Sequence, residues 1–478
     1  MGWTHDVIVI GAGAAGLTAA GGCARLGLRV ALVERNRMGG ECLNTGCVPS
    51  KALIAAARRA YGMRGGAMGV SAANVDVSFA GVRAHVQAAI AAIAPHDSVE
   101  RFAGWGVEVV RGHARFTGRR EVEVAGRRFA APRIVVAAGS APAVPAVPGL
   151  ADVAYLTNET LFDLQALPSH LLVMGAGAVG LEMAQAFRRF GAEVTVFDQG
   201  QPLPRHDPDA AAIVLDQLRA EGVLIHAGAS AVAVAGAEGG IQVRLANGST
   251  LSGSHLLIAA GRQPALDGLG LDAAGIKASP DGITVDKRRR TSNRHVLAIG
   301  DCRSGPRFTH AAGYEGGIAV MSVGFGLPVR VDYDALPSVV FTDPELAQLG
   351  LTHTEARTRH RGVRVVQEAF ADNDRAVAEG ATAGFARVML AGRRVVGVTA
   401  VGAGVEDLLL PWSLAMRGRA GTWAIGGAVV AYPTRSDISK AIGFAVWEGL
   451  VFGRVARAWA GALAALRRLG RNDPSIPP

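Results

Sequence analysis

The chain has 478 residues, half of them apolar and 19% charged, with a net charge of +9. These values exclude a disordered chain and imply roughly three domains, each with a core of its own. The charge is carried mostly by arginine, since lysine occurs only at Lys51, Lys277, Lys287 and Lys440. Beside abundant Ala and Gly it reads as genome composition; without a clustered basic patch or a known binding module, nucleic acid is not an expected partner.

The N-terminus, MGWTHDVIVIGAG, has no basic leader or cleavage-site pattern and reads as a mature cytoplasmic start. No run of about 18 uncharged apolar residues follows anywhere in the chain, so no membrane span is expected. DVIVIGAGAAGLTAA (Asp6–Ala20) is a strand, a turn with Gly11, Gly13 and Gly16, and a helix opening, and the next strand, VALVERN, brings Glu34. HLLVMGAGAVGLEMAQ (His170–Gln185) repeats the pattern with Gly175, Gly177 and Gly180, and VTVFDQG brings Asp198. A glycine turn between strand and helix, with an acid about 20 residues on, is the full dinucleotide fingerprint. The first glycine makes the tight turn, the second lets backbone approach a pyrophosphate, and the third lets helix pack on strand. Two copies predict two dinucleotides.

RIVVAAGSAPAVPAVPGL (Arg133–Leu150) is a buried strand with a proline-rich exit, a crossover into the second nucleotide domain, and HLLIAAGRQPAL (His255–Leu266) repeats its strand–AAG pattern where that domain should close. HVLAIGDC (His295–Cys302) is a strand ending in Gly-Asp, with a helix predicted from about Thr309. Asp301 at such a strand end suits a ribityl or ribose hydroxyl. From Val331, through VVFTDPELAQLGLT, strands and helices alternate without a nucleotide turn, as in an α+β domain. The predicted architecture is α/β, with two Rossmann-like dinucleotide-binding domains plus an α+β C-terminal domain. Its boundaries are 1–150 and 271–330 for the first nucleotide domain, 151–270 for the second, 331–446 for the third, and 447–478 for a basic amphipathic helix and tail.

The chemistry concentrates in GGECLNTGCVPSKAL (Gly39–Leu53), which holds two of the chain's four cysteines. Four cysteines in so long a chain are no secreted disulfide framework, and Cys23 and Cys302 read as buried fillers. A zinc clip would need a second Cys or Cys/His pair, and none completes a site. Cys47 falls just inside or before a helix, whose N-terminal dipole lowers a thiol's pKa, and Pro49 suits the first turn. The two thiols are expected on a shared turn of helix.

The order of these motifs, with AIGD, FTDPE and YPTRSD after the second glycine turn, resembles the class I pyridine nucleotide-disulfide oxidoreductases to about residue 445. That family includes dihydrolipoamide dehydrogenase, glutathione reductase and mercuric reductase. The resemblance implies FAD, with Gly11, Gly13, Gly16 and Glu34 at its ADP half, Asp301 at its ribityl chain, and Gly40, Lys51, Gly139 and Ala311 also at cofactor. It implies a nicotinamide dinucleotide at Gly175, Gly177, Gly180, Asp198 and Gly261. Lys51 would pair with Glu182 near the flavin, Cys47 would be the charge-transfer thiol, and Cys42 the outer thiol that meets substrate. Asp198 favours NADH over NADPH, though Arg205 could soften that preference. The family's logic makes residues 331–446 the dimerisation domain of a homodimer, with the Tyr432 loop reaching the partner's site.

One segment departs from the pattern. Where disulfide reductases carry H-P-x-x-x-E, this chain has Tyr432-Pro433-Thr434-Arg435-Ser436-Asp437. A shuttle at neutral pH needs a pKa near neutral, and an unperturbed tyrosine sits at about 10. The resemblance then leans to mercuric reductase, which also has tyrosine here because a soft metal ion needs thiolates rather than a proton relay. The C-terminal cysteine pair of that enzyme is absent after Cys302. The expected acceptor is a metal ion of the Hg(II) type or a small thiol or disulfide compound. Dihydrolipoamide dehydrogenase-like activity is one alternative. The other is a flavin-based quinone reductase at a membrane surface, contacted through residues 447–470, where Trp447, Val451, Val455, Trp459, Leu463 and Leu466 form a stripe. Packing of that helix on its own domain or across the dimer is the plainer expectation.

Overall fold

The structure is a computed structural model that describes residues 2–65, 68–70, 72 and 74–469. It comprises two compact units, one of residues 1–205, 215–333 and 340–342, the other of residues 206–214, 334–339 and 343–478. The first contains two parallel sheets of the nucleotide-binding kind. Val7–Ile10 is fully buried, as expected of a short unbroken apolar run covered on both faces. It lies between Val30–Glu34 and Arg133–Val136, with Val107–Arg111 beyond the former and Val296–Ala298 beyond the latter. The sheet is thus completed by a strand far along the chain.

Between those strands the chain builds a second parallel sheet, in the order Leu224–Ala227, Glu193–Asp198, His170–Met174, His255–Ile258. The two strand–AAG exits pair with each other, Ser140–Pro142 running antiparallel to Arg262–Pro264. Three-stranded antiparallel sheets, Ala114–Ala130 and Ala231–Gly253, flank the two parallel ones. The helix Ala14–Arg25 packs closely on Thr309–Gly324, because a Cβ on Gly316 would lie 2.6 Å from Thr18 Cβ. Small residues at that crossing let the second helix bring its N-terminus down beside the first glycine turn.

The second unit is an antiparallel sheet with helices over it, ordered Pro337–Val340, Glu345–Gly350, Arg394–Gly402, Phe385–Ala391, Val363–Ala369. Its core holds Leu349, Val388, Leu390, Val398, Trp412, Ile438 and Ile442. The expected single helix over 447–470 does not form. Ser436–Val451 runs through Trp447, and a new helix, Arg454–Leu469, starts after Phe452 and Gly453, bent by 68°. Glycine permits the break: a Cβ on Gly453 would lie 2.4 Å from the Gly449 carbonyl oxygen. The predicted stripe is therefore split. Trp447 packs edge-on against Trp423 and donates to Thr422 Oγ1 at 2.9 Å, while Val455 onward belongs to the second helix.

Candidate active site

Two left-handed glycines, Gly39 and Gly40, turn the chain into the cysteine segment. A Cβ on Gly40 would lie 2.7 Å from Gly13 Cα, so the segment sits directly against the first glycine turn. Cys42 lies on the short helix Gly40–Asn44, which Asn44 ties down by donating to the Met38 and Gly40 carbonyls. Cys47 is the first residue of the next helix, Cys47–Arg64. The two thiols are therefore on different helices rather than on a shared turn, because Thr45 and Gly46 leave helical geometry between them. No disulfide joins them in this structure.

Cys47 stands at its own helix N-terminus and 3.2 Å from the hydroxyl of Thr309, which opens the helix Thr309–Gly324. Its thiol is pulled down to about 6, chiefly by the hydrogen bond from Cys42, with help from Thr309 and the charge of Lys51, against the opposing effects of burial and Glu182. Cys42 moves upward, first through that same bond and then through burial. The pair holds one proton tightly and releases the other easily.

Lys51, one turn beyond Cys47, places Nζ 3.0 Å from Glu182 Oε2 and 4.2 Å above the Phe341 ring. Glu182 is 4% exposed and also accepts from the Phe341 backbone N–H at 2.9 Å. This buried carboxylate joins the cysteine helix to the helix Ala178–Phe190, which opens at the second glycine turn.

A second network runs from the cysteine segment to Asp301. Ser140 donates to Asp301 Oδ2 at 2.8 Å, Arg262 donates to Ser140 at 2.8 Å and also pairs with Glu41, and Asn158 donates to Glu41 at 2.9 Å. Gly139 and Gly261 directly precede Ser140 and Arg262 and aim the two-stranded ribbon. The Glu41 carboxyl is pushed up to about 7, mainly by burial, with Arg262 acting against and the charges of Asp301 and Cys47 adding to it. Glu315, fully buried between Arg303 and Arg289, accepts from the Gly300 N–H at 2.7 Å and so fixes the turn that presents Asp301. Ala311 is buried one turn into the Thr309–Gly324 helix.

The two glycine turns match each other closely. Gly11 and Gly175 are left-handed, and a Cβ there would lie 2.2 Å from the Ala137 oxygen and 2.4 Å from the Ala259 oxygen. Gly16 and Gly180 abut the oxygens of Gly11 and Gly175 at 1.8 and 1.9 Å from the same added atom. By contrast, a Cβ on Gly177 would meet nothing within 4 Å, and one on Gly13 only Gly40 Cα at 3.9 Å. That is the open approach to a helix N-terminus that a pyrophosphate needs. Glu34 receives the Ala12 and Asn36 N–H groups, and Asp198 those of Ala176 and Gly200, so each acid is fixed at its strand end. These residues fit the ADP halves of two dinucleotides. Arg205 is exposed.

Tyr432 and Asp437 belong to the second unit and do not act on each other as the motif suggests. Tyr432, 74% exposed, donates its hydroxyl to Asp374 Oδ2 at 2.5 Å, and Asp437 accepts from the Thr434 backbone N–H at 3.1 Å. Asp437 sits in the first turn of Ser436–Val451 and its carboxylate serves that helix end, leaving the tyrosine to Asp374. The bond to Asp374 and its negative charge push the Tyr432 hydroxyl still higher.

Sequence reasoning missed Thr309, Ser140, Arg262, Asn158 and Asp374 as functional candidates. Ser140 and Arg262 each follow an AAG repeat, the one signal available for them; Asp374 lies 58 residues from its tyrosine and offers none. Cys23 and Cys302 are fully buried, and burial raises their thiols to about 11 and about 12. His310 stacks on Phe308 with ring centroids 5.2 Å apart. Among the described residues no group of three or more His, Cys, Asp or Glu side chains is placed to hold a metal ion.

Residues 5–316 match the family described as pyridine nucleotide-disulphide oxidoreductase, and residues 336–442 match the dimerisation domain of that family. The chain belongs to the pyridine nucleotide-disulphide oxidoreductases, flavoproteins that work with FAD and NAD(P)H, and its dimerisation domain supports a homodimer. It is 33% identical over 448 residues to a dihydrolipoyl dehydrogenase of Geobacillus stearothermophilus, covering 91% of this chain and 94% of that one. It is 35% identical over 371 residues to a mercuric reductase of Streptomyces lividans, covering 75% and 78%. Among solved structures it resembles a Cu(II) complex of the HOCl-induced flavoprotein disulfide reductase RclA from Escherichia coli, with a TM-score of 0.82 and 27% identity over 91% of this chain and 98% of that one.

Proposed function

We propose that this flavoprotein oxidoreductase passes electrons from NAD(P)H to a thiophilic metal ion of the Hg(II) or Cu(II) kind, or to a small thiol-reactive compound, through Cys42 and Cys47. The observation that carries this reading is the contrast between the dithiol and the altered proton relay: Cys47 opens its helix 3.2 Å from the Thr309 hydroxyl, an environment that lowers its thiol's pKa, while Tyr432 is bound to Asp374. FAD, when bound, supplies the two-electron exchange between nicotinamide and cysteine pair. Thr309 and Lys51 hold negative charge on Cys47. Cys42, the outer thiol, keeps its proton until a soft cation displaces it, and that displacement needs no neutral-pH base. A disulfide substrate differs, because its leaving thiolate must be protonated at each turnover.

The Cu(II) held in the RclA complex agrees with a metal acceptor, as do the mercuric reductase relatives, while RclA's name, a disulfide reductase, speaks for the thiol or disulfide alternative. The dihydrolipoyl dehydrogenase relatives favour a second reading, lipoamide chemistry, at the same cysteines. Asp198 at its strand end supports NADH as the preferred coenzyme. An acceptor screen of the FAD-loaded protein and its Cys42→Ser variant with Hg(II), Cu(II), lipoamide and glutathione disulfide tests the proposal. NADH oxidation with a metal ion that is lost in the variant is expected. Full activity in Cys42→Ser would move the reaction to the flavin alone and contradict the proposal.

A further inference from the structure

We infer that the helix Arg454–Leu469 is a docking element for an anionic lipid surface, separate from the redox site. It begins after the bend at Gly453 and lies beyond residue 442, where the match to the family's dimerisation domain ends. Its long apolar side chains recur at helical spacing, with Val455, Trp459 and Leu466 exposed at 85, 67 and 63% and Leu463 in line with them. Leu450 and Phe452, at the bend, are exposed at 65 and 58%. Among the described residues, Leu463 on this face is half-buried, but Val455, Trp459 and Leu466 belong to no buried core cluster of their own unit, so the plainer expectation of a helix laid on its own domain is not met for them.

The opposite face states the occupant. Arg454, Arg457 and Arg468 lie there with Arg467 at its edge, all exposed, and the helix contains no acidic residue and no lysine. A second copy of the helix would bring further arginines and no counter-charge. An anionic lipid surface supplies both halves of the match: phosphates for the arginines and acyl chains for the apolar face, with tryptophan at the boundary. A helix of 16 residues, about 24 Å long at 1.5 Å per residue, lies in such a surface rather than across it. The preceding helix cannot complete a span, because Ile438 and Ile442 are committed to the protein core.

The test is flotation of the full FAD-loaded chain with vesicles of phosphatidylcholine alone or with 30% phosphatidylglycerol. Binding should be at least tenfold greater to the anionic vesicles and should fall at least tenfold in 0.5 M NaCl. Changing Arg454, Arg457, Arg467 and Arg468 together to Gln, or Trp459→Glu with Leu466→Glu, should abolish it. Deleting residues 454–478 should abolish it while light scattering still gives the mass of a dimer of the shortened chain and NADH turnover in solution stays unchanged. Equal binding to both vesicle types, no binding to either, or dissociation of the dimer on deletion would overturn the inference, the last by assigning the helix to the subunit interface.

Discussion

The surroundings of Cys47 and the loop of Tyr432 show two regions of one enzyme under different demands. Around Cys47, helix N-termini, the Thr309 hydroxyl and the Lys51 charge, itself anchored on buried Glu182, act together to hold a thiolate. Around Tyr432 the side chain is exposed, its hydroxyl goes to Asp374, and Asp437, in the first turn of its helix, accepts from the Thr434 N–H. The first region brings the two thiols together with a lysine and a hydroxyl that favour negative charge on Cys47. In the second, the hydrogen bond to Asp374 makes the tyrosine a weaker acid still.

The largest expected effect breaks the first region. Cys47→Ser should lower NADH oxidation with a metal acceptor by about a thousandfold or more, since a hydroxyl replaces the activated nucleophile. Stopped-flow traces that still show full acceptor turnover would place the chemistry elsewhere. Next in size, restoring the missing base should move the second region back toward a disulfide reductase. Tyr432→His with Asp437→Glu should raise lipoamide turnover about a hundredfold, within the range for general acid–base catalysis. If only His is introduced, Asp374 remains the acceptor nearest the side chain, and a smaller gain is expected.

Removing Lys51 tests how the first region is held. Lys51→Met leaves Glu182 buried with only the Phe341 N–H as a partner, and should cost about 1–3 kcal/mol of stability in urea titration. Lys51→Arg should recover most of it. The smallest effect is a titration. In the reduced protein the Cys47 thiolate, followed at 240 nm, should be present above about pH 6 and disappear as pH falls through that value. Cys42→Ala removes the strongest stabilising bond, so the midpoint should climb toward the ordinary thiol value; an unchanged midpoint would show that Cys42 does not hold the thiolate.

The sheets and the two glycine turns were legible because their physics is local: short buried strands, left-handed glycines and acids at strand ends recur at fixed spacing. The cysteine segment was legible for the same reason. What the sequence concealed depended on long-range closure. Arg262 meets Glu41 across 221 positions and Thr309 meets Cys47 across 262, and no periodicity encodes either. The pairing of Tyr432 with Asp374 instead of Asp437 was hidden because the motif supplied a ready partner three residues beyond Thr434, which the helix end claimed. The break before the C-terminal helix was hidden because the apolar spacing runs on through Gly453, whose missing Cβ admits the bend.

In the proposed reaction this active site delivers electrons to an acceptor that needs thiolates but no proton relay. The most direct measurement is the ratio of NADH oxidation rates with a Hg(II)–thiol complex and with lipoamide, taken on one preparation of the FAD-loaded dimer and on its Tyr432→His, Asp437→Glu variant. A ratio well above one is expected in the natural sequence, with a fall of about a hundredfold in the variant caused by faster lipoamide turnover. Rapid lipoamide turnover by the natural sequence, with a ratio that the variant leaves unchanged, would contradict it.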